Sequence, residues 1–472
     1  MKPHKLYAAG YFIDTNVGID VVNPYSNKVF AKVFLANELI LEQAIVAGTG
    51  VEKELRDWPI HKRAKVLSDV AKGIDENREE LAILITQESG KPMRYALAEV
   101  DRAFQTYLIA AEECKRISAE YLRLDTTPNG EGKEALVKRF PIGLVAGIAP
   151  FNFPLNLTAH KIAPAIAAGN PVIIKPSSQT PLSILKLAEI FDRTDLPKGA
   201  ISILPMNREL GDVLVRDSRI KLLSFTGSPD VGWSMKSRAG KKKVVLELGG
   251  NAGVFISNSA DLNQAATQCV MGGFAFSGQV CIHVQRIYVQ SGAFKEFCQV
   301  FIDKVKQIRE GDPRDINTDI APLIDLKNAL RVESWVNEAI DDGAELLCGG
   351  ERKDNYYPPT VLARTNNSMK VCALEVFGPV VTLEEVENIE KAVNLINDSR
   401  YGLQAGIFTN QISEMDYAFN NLEVGGVVVN DVPTFRVDQM PYGGVKDSGL
   451  GREGVKYAIE EMTEPRLLVK SI

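Results

Sequence analysis

The chain has 472 residues, more than one hydrophobic core usually organises, and its 45% hydrophobic and 24% charged residues predict a globular protein of about two or three domains. Its net charge of -6 arises from 54 basic and 60 acidic side chains without a long basic block, which argues against a nucleic-acid partner. No apolar run approaches the roughly 18 residues of a membrane-spanning helix or resembles a secretory signal, so a cytoplasmic protein without a membrane partner is expected.

The first predicted elements are helices. Residues 41–116 carry apolar side chains at spacings of three and four among many charges, the period of amphipathic helices. From Tyr121 to Phe140 the pattern changes to two alternating stretches, YLRLD and ALVKRF, separated by TTPNGEG. Alternation around such a turn predicts a β-hairpin that projects from the main body.

After Gly143, short apolar runs alternate with helical patterns. The expected strands are LVAGIAP, PVIIKPS, ISILP, KLLSFTGS and VVLELGG, with helices through KIAPAIAAG and LSILKLAEIF. This alternation predicts a parallel, doubly wound sheet with helices on both faces, as in nucleotide-binding domains. A second α/β region is expected after Asn251.

Three polar residues stand where these apolar strands end. Asn152, in IAPFNFPLNL, either donates its side-chain amide to an oxyanion or caps the following helix. Lys175 follows an apolar strand, where ligands bind in such sheets, although a lone lysine there is often solvent-exposed. Glu247 lies in VVLELGG at the end of a run of apolar residues. Burial would raise its pKa and make it a general base near neutral pH, unless it faces water.

The segment KLLSFTGSPDVG places small residues between a strand and a helix. Thr226, Gly227 and Ser228 end the strand, and the helix is expected to begin near Pro229. Backbone amides at the positive end of a helix can bind a pyrophosphate. The segment departs from GxGxxG, so an ordinary strand-to-helix turn is the alternative.

The six cysteines are scattered without CxxC pairs, so free thiols in a reducing compartment and no metal site are expected. Cys281, in FAFSGQVCIHVQRIYV, follows a helical stretch and precedes an alternating strand. Gly278 would allow the backbone to turn and present this thiol in a cleft. Because cysteine is also a common small buried residue, its neighbours must decide between the two interpretations.

Eight segments together resemble the aldehyde dehydrogenase superfamily. They occur in that family's order and cover nearly the whole chain: APFNFP, VIIKPSS, FTGSPDVG, LELGGN, SGQVCI, LEVFGPV, YGLQAGIFTN and PYGGVKDSGLGRE. The resemblance implies a Rossmann-like cofactor domain, an α/β catalytic domain and a small β oligomerisation element. It also implies oxidation of an aldehyde to a carboxylic acid, with Cys281 as nucleophile, Asn152 as oxyanion donor and Glu247 as the base for thioester hydrolysis.

The resemblance further implies a crevice for NAD or NADP. Lys175 is expected at the adenosine ribose, Gly227 and Ser228 at the pyrophosphate. Glu375 is expected near the nicotinamide ribose. Members strict for NAD often carry an acidic residue where this chain has Ser178, so both cofactors remain open. The full set of expected contacts is Ile148, Ala149, Pro150, Lys175, Ser177, Ser178, Gly211, Phe225, Thr226, Gly227, Ser228, Val231, Leu248, Gly249, Glu375 and Phe377.

Within the superfamily, FRVDQMPYGGVKDSGLGREGVKYAIEEM most resembles the lactaldehyde, non-phosphorylating glyceraldehyde-3-phosphate and phosphonoacetaldehyde dehydrogenases. Arg102 and Arg436 fall where that branch binds a phosphate or similar group, with a surface arginine as the alternative for each. Phosphate-binding members tend to carry arginine before the nucleophile, where this chain has Val280. A small hydroxyaldehyde such as lactaldehyde, or a short semialdehyde, is therefore expected, with glyceraldehyde 3-phosphate or another anionic aldehyde as the alternative.

Two more substrate contacts are expected. Phe153 follows the predicted oxyanion donor directly. His283 lies two residues after the predicted nucleophile, so a strand beginning there would turn both side chains to one face.

The resemblance divides the chain into three parts. Residues 1–118 and 141–248 would form the cofactor domain, and residues 249–450 the catalytic domain. Residues 119–140 and 451–472 would form an oligomerisation hairpin and a C-terminal strand. Family members pair through such strands, so a homodimer or homotetramer is expected.

Two rival functions remain. A CoA-acylating dehydrogenase would pass the acyl group to CoA, although such enzymes usually lack a glutamate at the position of Glu247. A non-catalytic member of the fold would not require Cys281, Asn152 and Glu247 together. Glu453, in GLGREG, matches a family glutamate sometimes assigned to proton relay, or is a plain surface residue.

Overall fold

The structure is a computed structural model that describes residues 2–472. Its helices are α1 Glu38–Asp57, α2 Ile60–Glu76, α3 Arg78–Ser89, α4 Met93–Arg116, α5 Pro154–Ala168, α6 Leu182–Asp192, α7 Arg208–Arg216, α8 Pro229–Arg238, α9 Leu262–Phe274, α10 Ser291–Val305, α11 Leu326–Asp341, α12 Lys370–Ala373, α13 Ile389–Asn397, α14 Ile412–Asn421 and α15 Val455–Glu461. Single 3₁₀ turns span Pro128–Gly130 and Ala275–Gly278. Among the helices of residues 2–472, none combines the length and hydrophobicity that a membrane span requires.

The strands fall into three principal sheets and two short pairs. They are β1 Leu6–Ala8, β2 Tyr11–Ile13, β3 Gly18–Asn23, β4 Lys28–Phe34, β5 Glu120–Arg123, β6 Lys133–Pro141, β7 Val145–Ile148, β8 Val172–Lys175, β9 Ile201–Ile203, β10 Leu222–Thr226, β11 Lys243–Glu247, β12 Ala252–Ile256, β13 Val284–Gln290, β14 Glu345–Cys348, β15 Thr360–Ala363, β16 Val380–Val386, β17 Tyr401–Gly402, β18 Gln404–Phe408, β19 Gly426–Val429, β20 Val445–Lys446, β21 Gly449–Leu450 and β22 Thr463–Ser471.

The first sheet has the order β2-β1-β9-β8-β7-β10-β11-β21. Strands β7 to β11 run parallel, whereas β1 and β21 pair antiparallel at its sides. Helices α2, α4, α5 and α6 pack on one face and α1 and α7 on the other, each around its own hydrophobic cluster. The doubly wound α/β architecture is confirmed. Since parallel strands end at one edge, Lys175, Thr226 and Glu247 come to the same side of the sheet.

Helix α5 follows β7 at this edge, and its bounds have clear local causes. Pro154 occupies the first turn, where its missing N–H costs nothing. Gly169 ends the helix in the left-handed region with φ of 89°, which favours glycine. The helix is buried along its whole length, so the residues before it are held firmly at the end of the sheet.

The second sheet has the order β14-β15-β16-β13-β12-β18-β19 and is parallel except for the β14–β15 pair. It begins at Ala252, in agreement with the second α/β region expected after Asn251. Helices α9 and α10 pack on one cluster of apolar residues, and α13 and α14 on another.

The third sheet has the order β22-β6-β5. Strands β5 and β6 form the expected hairpin, and β22 pairs antiparallel with β6 from Thr463, opposite Pro141, to Ser471, opposite Lys133. The other side of β22 pairs with no strand of residues 2–472. The proposed domain boundaries remain a prediction; β21 pairs with β11 across one of them.

Candidate active site

Cys281 lies in a turn between the 3₁₀ turn and β13. Gly278 has φ of +68°, and a Cβ there would lie 2.2 Å from the Gly378 carbonyl oxygen, so this backbone path requires glycine. The Cys281 Sγ lies 3.0 Å from the Tyr442 hydroxyl. Burial raises the pKa of the Cys281 thiol to about 11, so other groups must stabilise its thiolate.

Asn152 lies in the loop between β7 and α5. Its side-chain Nδ2 donates to the Gln279 carbonyl oxygen at 3.0 Å, which ties it to the turn that carries the thiol. The residue that caps α5 is Phe153, so the helix-cap alternative for Asn152 is wrong. A primary amide has two N–H donors, and the second remains for an oxyanion beside the thiol.

Glu247 ends β11 and is only 3% exposed, so the alternative in which it faces water is wrong. Neither carboxylate oxygen has a hydrogen-bond partner among residues 2–472. Burial, followed by repulsion from Glu453, raises the pKa of Glu247 well above its usual value, although Arg436 and Lys161 act in the opposite direction. Burial therefore favours the neutral form of this carboxyl group, which becomes a base as the pH rises.

Asn152, Glu247 and Cys281 open onto one cavity of about 880 Å³. The predicted cofactor residues that line it are Ala149, Pro150, Lys175, Ser177, Ser178, Phe225, Thr226, Gly227, Ser228, Leu248, Gly249, Glu375 and Phe377. Three predicted contacts do not line it. Ile148 is buried within β7, Gly211 lies behind the Lys175 side chain, and Val231 packs against the core under α8.

The shape of this crevice fits a dinucleotide. Helix α8 begins directly after Gly227 and Ser228, and its first two residues line the cavity, so the positive end of the helix lies there. Gly249 leaves room for a close approach, because a Cβ there would lie 2.2 Å from a Glu375 carboxylate oxygen. The Glu375 carboxylate accepts from the Gly250 amide at 3.0 Å, and burial raises its pKa to about 7.

Several cavity residues were not predicted from the sequence: Phe151, Leu157, Gln179, Pro229, Asp230, Asn328, Arg331, Trp335, Leu374, Arg400 and Tyr401. Asn328, Arg331 and Trp335 share one face of α11 at spacings of three and four. That spacing is visible in the sequence, but it does not reveal that this face meets the other half of the chain.

Beside Glu247, two cations share one buried carboxylate. Glu453 accepts from Lys161 Nζ at 3.2 Å and from Arg436 Nη2 at 2.9 Å. Lys161 also donates to the Thr226 hydroxyl at 2.7 Å. Burial raises the pKa of Glu453, but Lys161 and Arg436 outweigh this effect and lower the pKa to about 2. We call Lys161, Arg436 and Glu453 the Glu453 cluster; its burial shows that the surface alternatives for Arg436 and Glu453 are wrong.

A second group surrounds Asp438. This carboxylate lies 2.7 Å from Arg102 Nη2 and 2.8 Å from His160 Nε2, and it accepts from the Asn156 amide at 3.3 Å. Arg102 is about a quarter exposed at its side chain. Burial, then the positive Arg436, lowers the pKa of His160, so this imidazole is neutral near pH 7. Arg102 is thus held by an ion pair, and its role as a substrate contact stays a prediction.

The argument that placed His283 beside the nucleophile is wrong, because β13 begins only at Val284 and Cys281 lies in a turn. His283 is 3% exposed, and burial lowers its pKa to about 4. It does not line the cavity, and its role as a substrate contact stays a prediction.

Phe153 is partly buried and takes part in contacts that connect the two loops of the site, and its role as a substrate contact stays a prediction. The Lys91 ammonium lies 3.7 Å from the centroid of the Phe153 ring and 4.6 Å from that of Phe276. Glu99 forms an ion pair with Lys91 and accepts from the Leu155 amide at 2.9 Å. Lys91 and Glu99 are both fully buried at their side chains, so they hold the Asn152 loop against the segment before Cys281.

Substitution of Lys91 by methionine is expected to lower the free energy of unfolding by about 3 kcal/mol, because it leaves the buried Glu99 carboxylate without its cation. Urea denaturation measures the change. Lys53→Met is the matched control, since Lys53 pairs with Asp57 on the surface and should change stability by less than about 0.5 kcal/mol. Equal stability of the two variants would show that the buried pair contributes nothing.

Residues 12–468 match the aldehyde dehydrogenase family. A 3-sulfolactaldehyde dehydrogenase of Priestia aryabhattai is 42% identical over 473 residues, covering 100% of this chain and 99% of that protein. A lactaldehyde dehydrogenase of Methanococcus aeolicus is 40% identical over 456 residues, covering 96% and 97%. The crystal structure of aldehyde dehydrogenase 21 from Physcomitrella patens, in complex with its reaction product succinate, is 44% identical with a TM-score of 0.98, covering 100% and 99%.

The match spans both main sheets and both sides of the cavity. Likeness of this extent in sequence and fold does not arise from the Rossmann-like sheet alone. The chain belongs to the aldehyde dehydrogenase family and is an oxidoreductase that acts on aldehydes.

Proposed function

We propose that the enzyme oxidises a short aldehyde carrying a single negative charge, such as a semialdehyde, to its carboxylic acid with NAD or NADP. The observation that carries this proposal is the Glu453 cluster, where two cations share one carboxylate close to the thiol. The succinate complex and the sulfolactaldehyde dehydrogenase support it, because both relatives handle short anionic molecules.

In the proposed reaction, the Cys281 thiolate adds to the aldehyde carbon and the carbonyl oxygen becomes an oxyanion. The free N–H of the Asn152 amide donates to that oxyanion, as does the Cys281 backbone amide. When bound, the dinucleotide supplies the hydride acceptor through which the adduct becomes a thioester. Glu247, once ionised, removes a proton from water; the resulting hydroxide replaces the Cys281 sulfur at the acyl carbon, so the acid leaves and the thiol returns.

Lys175 and the residues around it favour a site that accepts either cofactor. Ser178 lines the cavity where a carboxylate would repel a 2′-phosphate. Burial, then the charge of Arg208, lowers the pKa of Lys175, so two cations stand near this position. We therefore expect NADP to be used as well as NAD.

The charge balance beside the thiol supports a monoanionic substrate. Glu453 is ionised and neutralises only one of the two cations that it contacts, while burial raises the pKa of Glu247 and favours its neutral form. The Nε of Arg436 is buried and has no acceptor among residues 2–472. A buried donor without an acceptor is costly, and a carboxylate or sulfonate oxygen would accept from it. A phosphate dianion carries more negative charge than the one uncompensated cation can balance. The residue before Cys281 is Val280, which supplies no further positive charge.

A substrate panel tests the proposal: lactaldehyde, glycolaldehyde, succinate semialdehyde and glyceraldehyde 3-phosphate, each with NAD and NADP, compared by kcat/KM. We expect succinate semialdehyde to exceed lactaldehyde by about tenfold to hundredfold, the range of a charge-assisted hydrogen bond. Lactaldehyde is the second candidate, because a lactaldehyde dehydrogenase is 40% identical to this chain.

Each other order of kcat/KM among these aldehydes would contradict a particular part of the proposal. If lactaldehyde equals or exceeds succinate semialdehyde, Arg436 does not bind a substrate anion. If glyceraldehyde 3-phosphate ranks first, the argument from Val280 and charge balance is wrong. A product that requires CoA and carries a thioester would overturn hydrolysis, and no reduced cofactor with any short aldehyde would favour a non-catalytic member of the fold.

We further propose that the third sheet joins two copies of this chain in a homodimer or homotetramer. Strand β22 has an unpaired edge within residues 2–472, and Leu467, Leu468 and Val469 on it are each about half exposed. An apolar edge strand of this kind pairs readily with a second copy. Light scattering after size exclusion gives the oligomer size. The cysteines, all free in the structure, support a cytoplasmic location.

A further inference from the structure

We propose that Tyr442 is a further catalytic residue, whose hydroxyl donates a hydrogen bond to the Cys281 thiolate and stabilises it before it attacks. The inference rests on the proposed role of Cys281 as nucleophile. It assigns a function to a residue of the PYGGVKDSGLGRE segment that neither the sequence analysis nor the proposed reaction uses.

The geometry is direct. The Tyr442 hydroxyl oxygen lies 3.0 Å from Cys281 Sγ, within the range of a hydrogen bond to sulfur. Tyr442 is 2% exposed and packs in one cluster with Ile282 and Leu403, against which Cys281 also packs. The Tyr442 backbone is fixed as well, because its amide donates to the Glu453 carbonyl oxygen at 3.0 Å. The packing of the ring and the hydrogen bond of the backbone therefore hold the Tyr442 hydroxyl at the sulfur.

The direction of the hydrogen bond follows from burial. Burial, followed by the charge of the neighbouring thiolate, raises the pKa of Tyr442 well above its usual value, so the phenol keeps its proton. A phenol that keeps its proton can only donate to a thiolate. Burial is the largest contribution that raises the pKa of Cys281, and the Tyr442 hydrogen bond is the largest contribution that lowers it. The hydroxyl thus replaces part of the water that the buried sulfur has lost.

Arg436 strengthens this donor. Its guanidinium carbon lies 3.6 Å from the centroid of the Tyr442 ring, so a positive charge rests on the face of the phenol. That charge draws electron density from the hydroxyl and makes its proton a better donor. The Glu453 carboxylate fixes Arg436 in this place at 2.9 Å. Glu453, Arg436, Tyr442 and Cys281 therefore form a chain of contacts that ends at the reacting sulfur.

Glu375 and Glu247 are the other charged groups that influence Cys281, and both raise the pKa of its thiol when ionised. Tyr442 and Arg436 are the two groups that lower it. Removal of the hydroxyl leaves both carboxylates and the guanidinium in place. A change in the titration of the thiol after this removal therefore reports the hydroxyl alone.

The test is Tyr442→Phe in the full enzyme, which removes the hydroxyl and keeps the ring. Alkylation of Cys281 by iodoacetamide, followed on its own peptide by mass spectrometry, gives the pH midpoint of thiolate formation without any aldehyde. We expect the midpoint to rise by about one pH unit and the rate at pH 7 to fall about tenfold, the effect of one hydrogen bond to a charged acceptor. In turnover, kcat/KM should fall while the affinity for the dinucleotide stays unchanged.

Tyr7→Phe is the matched control, because the Tyr7 hydroxyl bonds to Asp192 at 3.1 Å far from the cavity. It should leave the alkylation midpoint unchanged. An unchanged or lowered midpoint in Tyr442→Phe, with the thermal unfolding temperature of the unaltered enzyme, would overturn the proposal. Failure of the proposed nucleophile is a separate result: Cys281→Ala would then retain dehydrogenase activity whatever the alkylation profile of Tyr442→Phe.

Discussion

Replacement of Cys281 by alanine is expected to reduce dehydrogenase turnover by at least about 10⁴-fold, because the covalent adduct can no longer form. An aldehyde has no good hydride to give until a nucleophile adds to its carbon. Asn152 and the dinucleotide crevice would remain intact but have no adduct to act on. The rate of reduced-cofactor formation with saturating aldehyde measures the loss, and fluorescence titration should show unaltered cofactor binding.

Cys298→Ala is the matched control for this substitution. Cys298 is partly buried in α10, and burial raises its pKa to about 11, as for Cys281. It does not line the cavity, so its removal should leave turnover unchanged. Residual activity of Cys281→Ala within tenfold of the unaltered enzyme would show that the reaction does not pass through this thiol.

The parts of the fold that could be predicted are those with local causes. The apolar runs from Val145 to Glu247 are strands because they are buried on both faces, and the helices between them have a period of three to four residues. Pro229 at the start of α8 and the alternating stretches of the hairpin are equally local signals. Sheet order and the antiparallel pairing of β21 with β11 have no such signal, because they depend on contacts between distant segments.

The candidate site also contains both residues that could be predicted from the sequence and contacts that could not. The resemblance assigns roles to Cys281, Asn152 and Glu247, so these residues could be predicted. Tyr442 also lies in a family segment, but its contact with Cys281, 161 positions away, could not be predicted. His160 follows Asn156 by one helical turn, so the sequence indicates that both side chains lie on one face of a helix. The spacing does not indicate that Asp438 is their shared partner. The prediction for His283 was wrong for a different reason. It assumed the alternation of side chains along a strand, but the structure places His283 before the strand begins.

Glu247→Gln should separate the two halves of the reaction. Acylation does not need this carboxylate, so one equivalent of reduced cofactor per site is expected in a rapid burst. Hydrolysis should then fall by about 10³-fold, since the glutamine amide cannot take a proton from water. Stopped-flow absorbance of the reduced cofactor shows the burst, and mass spectrometry should find the acyl group on Cys281.

The dependence of the hydrolysis rate on pH is an independent test of the role of Glu247. Since burial raises the pKa of Glu247, its basic form grows as the pH rises past the usual pKa of a glutamate, so hydrolysis in the unaltered enzyme should accelerate with rising pH. Glu247→Gln should lose that dependence. Glu88→Gln is the matched control, because burial raises the pKa of Glu88 to about 8 but this carboxylate only accepts from the start of α6. A variant Glu247→Gln that turns over without a burst would assign water activation to another group.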